Sequence, residues 1–326
     1  MRILTAENVR QLLPMREAIR ATHDAMVAVA RGEAILPHRV HMRIGDGGNS
    51  ALVMPAATAN PPRLASKFLS LLPGNRSKGR PFIHGVVVVF NARTGRPEGL
   101  VEGTTLTAIR TGAASGFATQ LLARHNARVL GIIGSGVQAR TQLEAVCSVR
   151  QIEEVRVFSR DRRHAQRFAR EMVKRAGIAD RIQVVDTAPE AVEGADIICT
   201  ATPATKPVLG LGDICRGAHI NAIGSFTPQM RELAPGLIRR AKVFVDSREA
   251  ALKEAGELIS CIRDGSLDQE DLIEIGEVAV KSIPGRENED HITVFKSVGL
   301  AIQDLMAAEL ALRRAKKQGV GTVVEM

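Results

Sequence analysis

One stretch limits the fold more than any other. Val129-Leu130-Gly131-Ile132-Ile133 runs directly into Gly134-Ser135-Gly136-Val137-Gln138-Ala139, and helix-forming sequence follows from Arg140 to Ser148. An apolar run rich in β-branched residues, a Gly-x-Gly-x-x-Ala turn and a helix come in the order that a dinucleotide-binding strand–turn–helix requires. Gly134 lets the chain turn tightly off the strand. Gly136 lets the backbone approach a pyrophosphate, with Ser135, Val137 and Gln138 around it. Ala139 keeps the helix close to the strand, and the helix N-terminus offers free N–H groups to phosphates. Without a ligand, the same residues would make a tight strand-to-helix turn.

At 326 residues the chain exceeds one minimal core, so two domains are expected. Hydrophobic residues make up 45% and charged residues 24%, a soluble balance. No apolar run approaches the roughly 20 residues of a membrane helix, and the N-terminal residues carry no signal-peptide pattern. Cys147, Cys199, Cys215 and Cys261 are widely spaced, without Cys-x-x-Cys or paired-His patterns. They are expected to be reduced thiols in a cytoplasmic protein, with no metal site. The formal charge of +9 invites a nucleic-acid reading, but the chain has no Trp and no Tyr, so stacking platforms are scarce. Arg167 and Arg170 read as a solvated helix face.

Pro14 to Arg31 reads as an amphipathic helix stopped by Gly32. From Leu36 to Phe90 short strands alternate with turn clusters, among them 45–49, 60–62 and 73–75. Strands are expected at Arg39–Ile44, Ser50–Met54, Leu64–Leu71 and Val86–Phe90, forming an antiparallel sheet with the helix. Thr105 to Ala123 reads as a helix with small residues at Ala108, Ala113, Ala114 and Ala118. Strands then alternate with helices: Arg128–Ile133, Glu154–Phe158, Ile182–Val185, Ile197–Thr200, His219–Ala222 and Lys242–Val245, with a helix over Arg163–Ala176 among them. After Val245 the pattern reads as mostly helical, ending in Thr293–Lys317. This rhythm predicts an α/β chain with a Rossmann-type doubly wound parallel sheet.

The acid that usually binds a ribose is expected at the end of the second strand. Here that strand ends in Phe158-Ser159-Arg160, with Asp161 one place further. A hydroxyl and a guanidinium suit a 2′-phosphate. NADPH is therefore expected over NADH, the alternative being that Asp161 serves the ribose of NAD.

At this point the chain resembles the ornithine cyclodeaminase/mu-crystallin family almost end to end. The resemblance is carried by Val53-Met54-Pro55-Ala56, Ser66-Lys67-Phe68, the block Glu102 to Ser115, and Gly131 to Ala139. It continues through Ile220-Asn221-Ala222-Ile223-Gly224-Ser225, Val245 to Glu254, and Thr293-Val294-Phe295-Lys296-Ser297. The family resemblance implies that residues 1–117 with 302–326 form an α+β substrate-binding and dimerisation domain, and 118–301 the dinucleotide-binding domain. It implies a homodimer, and an α-carboxylate held by Arg39, Lys67 and Arg110, with Lys67 and Arg110 catalytic. Arg110 lies in a helix that is otherwise small and apolar, where an unpaired charge is costly. His84, before a buried strand, is a candidate for the same pocket or a structural histidine. Thr111, Ala201, Thr202, Pro203, Ile223 and Gly224 are expected to border the cofactor. The run Val86 to Phe90 is apolar enough to need cover on both faces.

One departure separates activities within the family. Where ornithine cyclodeaminases carry an aspartate, this chain has Phe226, which cannot bind an ammonium group or take its proton. The resemblance therefore implies an NAD(P)H-dependent ketimine reductase acting on Δ1-pyrroline-2-carboxylate or Δ1-piperideine-2-carboxylate. The alternatives are an alanine-dehydrogenase-like enzyme, an ornithine cyclodeaminase, and a non-catalytic NADPH-binding protein.

Overall fold

The computed structural model describes residues 1–46, 48–173 and 182–325. Of the expected features, Gly47 in the 45–49 turn, the end of the 163–176 helix beyond Val173, and the terminal Met326 lie outside the described residues. The elements run β1 (Arg2–Leu4), α1 (Ala6–Leu12), α2 (Met15–Ala30), β2 (Ala34–Ile35), β3 (Val40–Ile44), β4 (Asn49–Thr58), β5 (Arg63–Leu71), β6 (Ile83–Phe90), β7 (Pro97–Glu102) and α3 (Gly103–Leu122). They continue with β8 (Val129–Ile133), α4 (Val137–Val149), β9 (Glu154–Phe158), α5 (Arg162–Val173), β10 (Ile182–Val184), α6 (Ala188–Val192), β11 (Ile197–Thr200), β12 (His219–Ala222) and α7 (Pro235–Arg240). The last are β13 (Lys242–Val245), α8 (Arg248–Glu254), α9 (Gly256–Arg263), β14 (Ile273–Glu274), α10 (Ile275–Ala279), β15 (Thr293–Lys296), α11 (Ala301–Gln318) and β16 (Thr322–Val323).

The chain divides into two compact units, Met1–Arg110 with Leu300–Met326, and Thr111–Gly299. The first division falls inside α3, earlier in the chain than the expected 117.

In the second unit the strands are all parallel, in the order β10-β9-β8-β11-β12-β15-β13-β14. Chain direction across the sheet reverses between β8 and β11, the switch point at which an open α/β sheet forms its ligand crevice. Each face has its own core. Leu130, Ile132, Val155 and Val157 pack with Leu143, Phe168 and Met172 of α4 and α5. Ile133, Ile198, Ile220 and Val243 pack with Leu237, Ile238 and Leu258 of α7 and α9. The Thr293–Lys317 segment corrects the helical reading: Thr293–Lys296 is β15, in the sheet interior between β12 and β13, and the helix begins at Ala301. All residues of β15 are buried. A strand covered on both faces shows no alternation, so periodicity does not reveal it.

In the first unit the sheet order is β16-β1-β7-β6-β5-β4-β2, with β3 paired to β4. It is antiparallel except where β1 runs parallel to β7. The short edge strands β16 and β2, with β1 and β7 inside the sheet, add to the strands expected from sequence. On the inner face α11 packs against β4, β5 and β6, and against α2. Ala65, Lys67 and Leu69 of β5, and Val87 and Val89 of β6, are buried. Residues of opposite parity, Leu64, Phe68 and Val86, stand on the outer face with Val40, Met42 and Ile44, and all are exposed. Among the described residues no helix is long and apolar enough to cross a membrane.

Candidate active site

In the first unit, register places Lys67 opposite Met54 on one side and Val87 on the other, in a row that continues to Val101. The row faces inward, so Lys67 is only 1% exposed. Its Nζ donates to Asp304 Oδ2 at 2.5 Å. Asp304 lies in the first turn of α11 and is itself 1% exposed. Arg110 reaches the other carboxylate oxygen: its Nε donates to Asp304 Oδ1 at 3.1 Å and its Nη1 to Gln303 Oε1 at 3.0 Å. Nη2 is left with no acceptor among the described residues. Arg110 is carried by α3, which starts where the Glu102 carboxylate accepts from Thr104 N at 2.7 Å and Thr105 N at 2.8 Å.

One carboxylate thus serves two buried cations. Burial pulls the Lys67 pKa down to about 7. Asp304 opposes that shift, while the charges of Arg110 and Arg39 add to it. Arg39, half-buried, stands just before Val40, one register step from the Met54–Lys67 row. The structure therefore brings Arg39, Lys67 and Arg110 together. It does not bring His84: this residue pairs with Ser70, whose parity puts it on the sheet face opposite Lys67. The expectation of His84 in that pocket is corrected by the two-residue period of a strand.

In the second unit, Gly134 has φ +109°, and a Cβ there would lie 2.5 Å from the Ala201 carbonyl oxygen, so only glycine fits. Gly136 is the N-cap of α4, with no side-chain cap, and a Cβ on it would meet nothing within 4 Å. The first-turn N–H groups of a 13-residue helix therefore lack a side-chain cap beside a clear backbone approach. That arrangement fits the pyrophosphate of a dinucleotide. Ser135 Oγ donates to Ser159 Oγ at 2.9 Å, which ties the turn to the end of β9. Val137 is exposed and Gln138 half-buried.

Asp161 turns away to α5, accepting from Arg163 N at 2.9 Å and from the Arg163 guanidinium. Those bonds hold its carboxyl down to about 2. Arg160 is exposed and makes no ion pair with a described residue. Thr111 is buried, and its carbonyl accepts from Gln142 of α4 at 3.5 Å. Ala201 N donates to Ile133 O at 2.8 Å and Ile223 N to Thr200 O at 3.0 Å, so both loops leave the sheet beside the Gly-rich turn. Pro203 is exposed. Thr202 N and Gly224 N both donate to Glu232, at 2.7 Å each.

Sequence reasoning missed Asp304, Glu232 and Glu257. Lys296 was visible only as part of a family block. Among the described residues no His, Cys, Asp or Glu cluster is arranged to hold a metal ion.

The family model for the ornithine cyclodeaminase/mu-crystallin family matches residues 1–319, and the chain belongs to that family. It is 40% identical to a Delta(1)-pyrroline-2-carboxylate reductase of Bacillus cereus over 327 residues, covering 100% of both chains. Its fold is similar to that of Thermococcus litoralis Delta(1)-pyrroline-2-carboxylate reductase in complex with NADH and L-proline, with TM-score 0.95, 41% identity and coverage of 99% and 100%. An archaeal alanine dehydrogenase dimer with bound NAD is also similar, with TM-score 0.92, 35% identity and coverage of 100% and 99%.

The buried lysine has a consequence for stability. Its folded pKa of about 7 lies below the ordinary lysine value of 10.5. Between those two pH values the unfolded chain binds more protons, so stability rises with pH there. Below about 7 the cost of burying the charge is fully present. In urea unfolding, wild type should gain on Lys67→Met by on the order of 1 kcal/mol per pH unit from pH 7 to 10. A difference that does not change with pH would contradict the low pKa.

Proposed function

We propose that this chain is an NADPH-dependent reductase of cyclic α-imino acids, converting Δ1-pyrroline-2-carboxylate or Δ1-piperideine-2-carboxylate to the L-amino acid. The observation that carries this reading is the buried Lys67–Asp304–Arg110 cluster. Two cations around one carboxylate leave a positive site for a small anion. The two Delta(1)-pyrroline-2-carboxylate reductases among the relatives named above support the choice.

Arg110, through its Nη2 edge, and Arg39 would hold the substrate carboxylate. Lys67, with a pKa near neutrality, would hold the proton that the imine nitrogen takes up. A protonated imine is the better electrophile at C2. When bound, the cofactor supplies the hydride, and hydride at C2 plus proton at nitrogen balance the reduction. Gly134, Ser135, Gly136, Val137 and Gln138 would cradle the pyrophosphate, and Thr111, Ala201, Thr202, Pro203, Ile223 and Gly224 would border the remaining half. Ser159 and Arg160 favour NADPH because Asp161, the acid that would select NAD, is engaged by Arg163. Phe226 offers no carboxylate to a substrate amine, which argues against cyclodeamination.

The outer sheet face supports a homodimer. Val40, Met42, Ile44, Leu64, Phe68 and Val86 form an exposed apolar patch, and a second copy offers the same apolar chemistry. Light scattering should give the mass of a dimer for wild type and of a monomer for Phe68→Glu. A monomeric wild type would contradict this.

The activity is tested by following NADPH and NADH oxidation with both cyclic imines and with pyruvate plus ammonia. Turnover with a cyclic imine, faster with NADPH, is the expected result, and Arg160→Ala should remove most of the preference for NADPH. Turnover with pyruvate and ammonia alone would make the chain an amino-acid dehydrogenase. A preference for NADH would overturn the role given to Ser159 and Arg160.

A further inference from the structure

Two carboxylates and one ammonium lie buried at the C-terminal edge of the parallel sheet, and the reduction described above uses none of them. Glu232 is fully buried. Its Oε2 accepts from Thr200 Oγ at 2.9 Å and Gly224 N at 2.7 Å. Its Oε1 accepts from Thr202 N at 2.7 Å and Thr202 Oγ at 2.8 Å. A single side chain therefore bonds the last residue of β11, the loop after β11 and the loop after β12. The loops meet so closely that a Cβ on Gly224 would lie 2.3 Å from Thr202 N and 2.5 Å from Glu232 Oε1.

The β12 loop is tied again at its far side. Lys296, also fully buried, donates to Ala222 O at 3.1 Å, Ser225 O at 2.5 Å and Ser225 Oγ at 2.7 Å. Its ammonium pairs with Glu257 at 3.4 Å, and Ser225 Oγ donates to the other Glu257 oxygen at 2.5 Å. Buried ionic groups rarely add stability over apolar ones of the same size, and geometric specificity is the usual hypothesis for keeping them. Apart from the bond to Thr200 at the end of β11 and the Lys296–Glu257 pair itself, these bonds end on two loops, 201–203 and 222–225.

We propose that Glu232 positions the nicotinamide half of the cofactor by fixing the separation of these two loops, with Lys296 and Glu257 holding the second loop in place. This rests on the dinucleotide reading above. The pyrophosphate turn at Gly134–Gln138 and the Ser159–Arg160 pair follow β8 and β9 and donate no hydrogen bond to Glu232.

The test separates the two halves of the cofactor. Glu232→Gln is nearly isosteric but puts an amide N–H₂ against one of the backbone N–H donors. Calorimetry would measure binding of NADPH and of 2′-phospho-ADP-ribose, which lacks the nicotinamide. The expected result is NADPH binding weakened by about ten-fold or more, with 2′-phospho-ADP-ribose held within about two-fold and kcat reduced. Thr200→Val, which removes one donor to Glu232 and keeps the side-chain shape, should show the same asymmetry more weakly should the first variant fold poorly. Equal weakening of both ligands, or of neither, would overturn the positioning role. A wild type that binds neither ligand would overturn the cofactor reading, and this inference with it.

Discussion

The Asp304 carboxylate is the contact on which the first unit turns. It takes Lys67 on one oxygen and Arg110 on the other, all but sealed from water. Burying an ammonium without a partner costs several kcal/mol, so Asp304 is what permits Lys67 to face inward at all. A single carboxylate cannot neutralise two cations, and the excess charge sits beside an arginine whose Nη2 has no acceptor among the described residues. An anion is the natural completion of such a cluster. The low pKa of Lys67 follows from its burial and from the neighbouring Arg110 and Arg39 charges, against the pull of Asp304.

The second unit solves a different problem with backbone rather than charge. Gly134 and Gly136 clear the approach to the start of α4, and the helix supplies its N–H groups. Buried acids then fix what the glycines leave loose. Glu232 bonds the loops after β11 and β12, and the Lys296–Glu257 pair bonds the second of them, while Asp161 accepts from Arg163 at the start of α5. Glu232, Lys296 and Glu257 in this unit thus hold backbone in place, whereas Lys67 and Arg110 in the first unit present charge.

Local chemistry in the sequence disclosed local structure. The Gly-x-Gly-x-x-Ala turn and the βαβ rhythm were legible because each depends on residues a few places apart. The β15 strand escaped because burial on both faces removes alternation. Asp304 escaped because its partners lie 237 and 194 residues away, and an acid on a helix reads as a solvated face. Family resemblance supplied Arg39, Lys67 and Arg110, yet it could not say what holds two of them together. His84 shows the opposite limit: expected before the strand, it lies within β6, and which face it takes depends on the register with Ser70.

The most direct measurement is turnover of Δ1-pyrroline-2-carboxylate by Asp304→Asn, with dinucleotide affinity measured beside it. The amide keeps the shape and removes the charge shared by Lys67 and Arg110. A fall in kcat/KM of about a hundred-fold, with NADPH affinity unchanged, is the expected result. Turnover within a few-fold of wild type would contradict the central place given to this carboxylate.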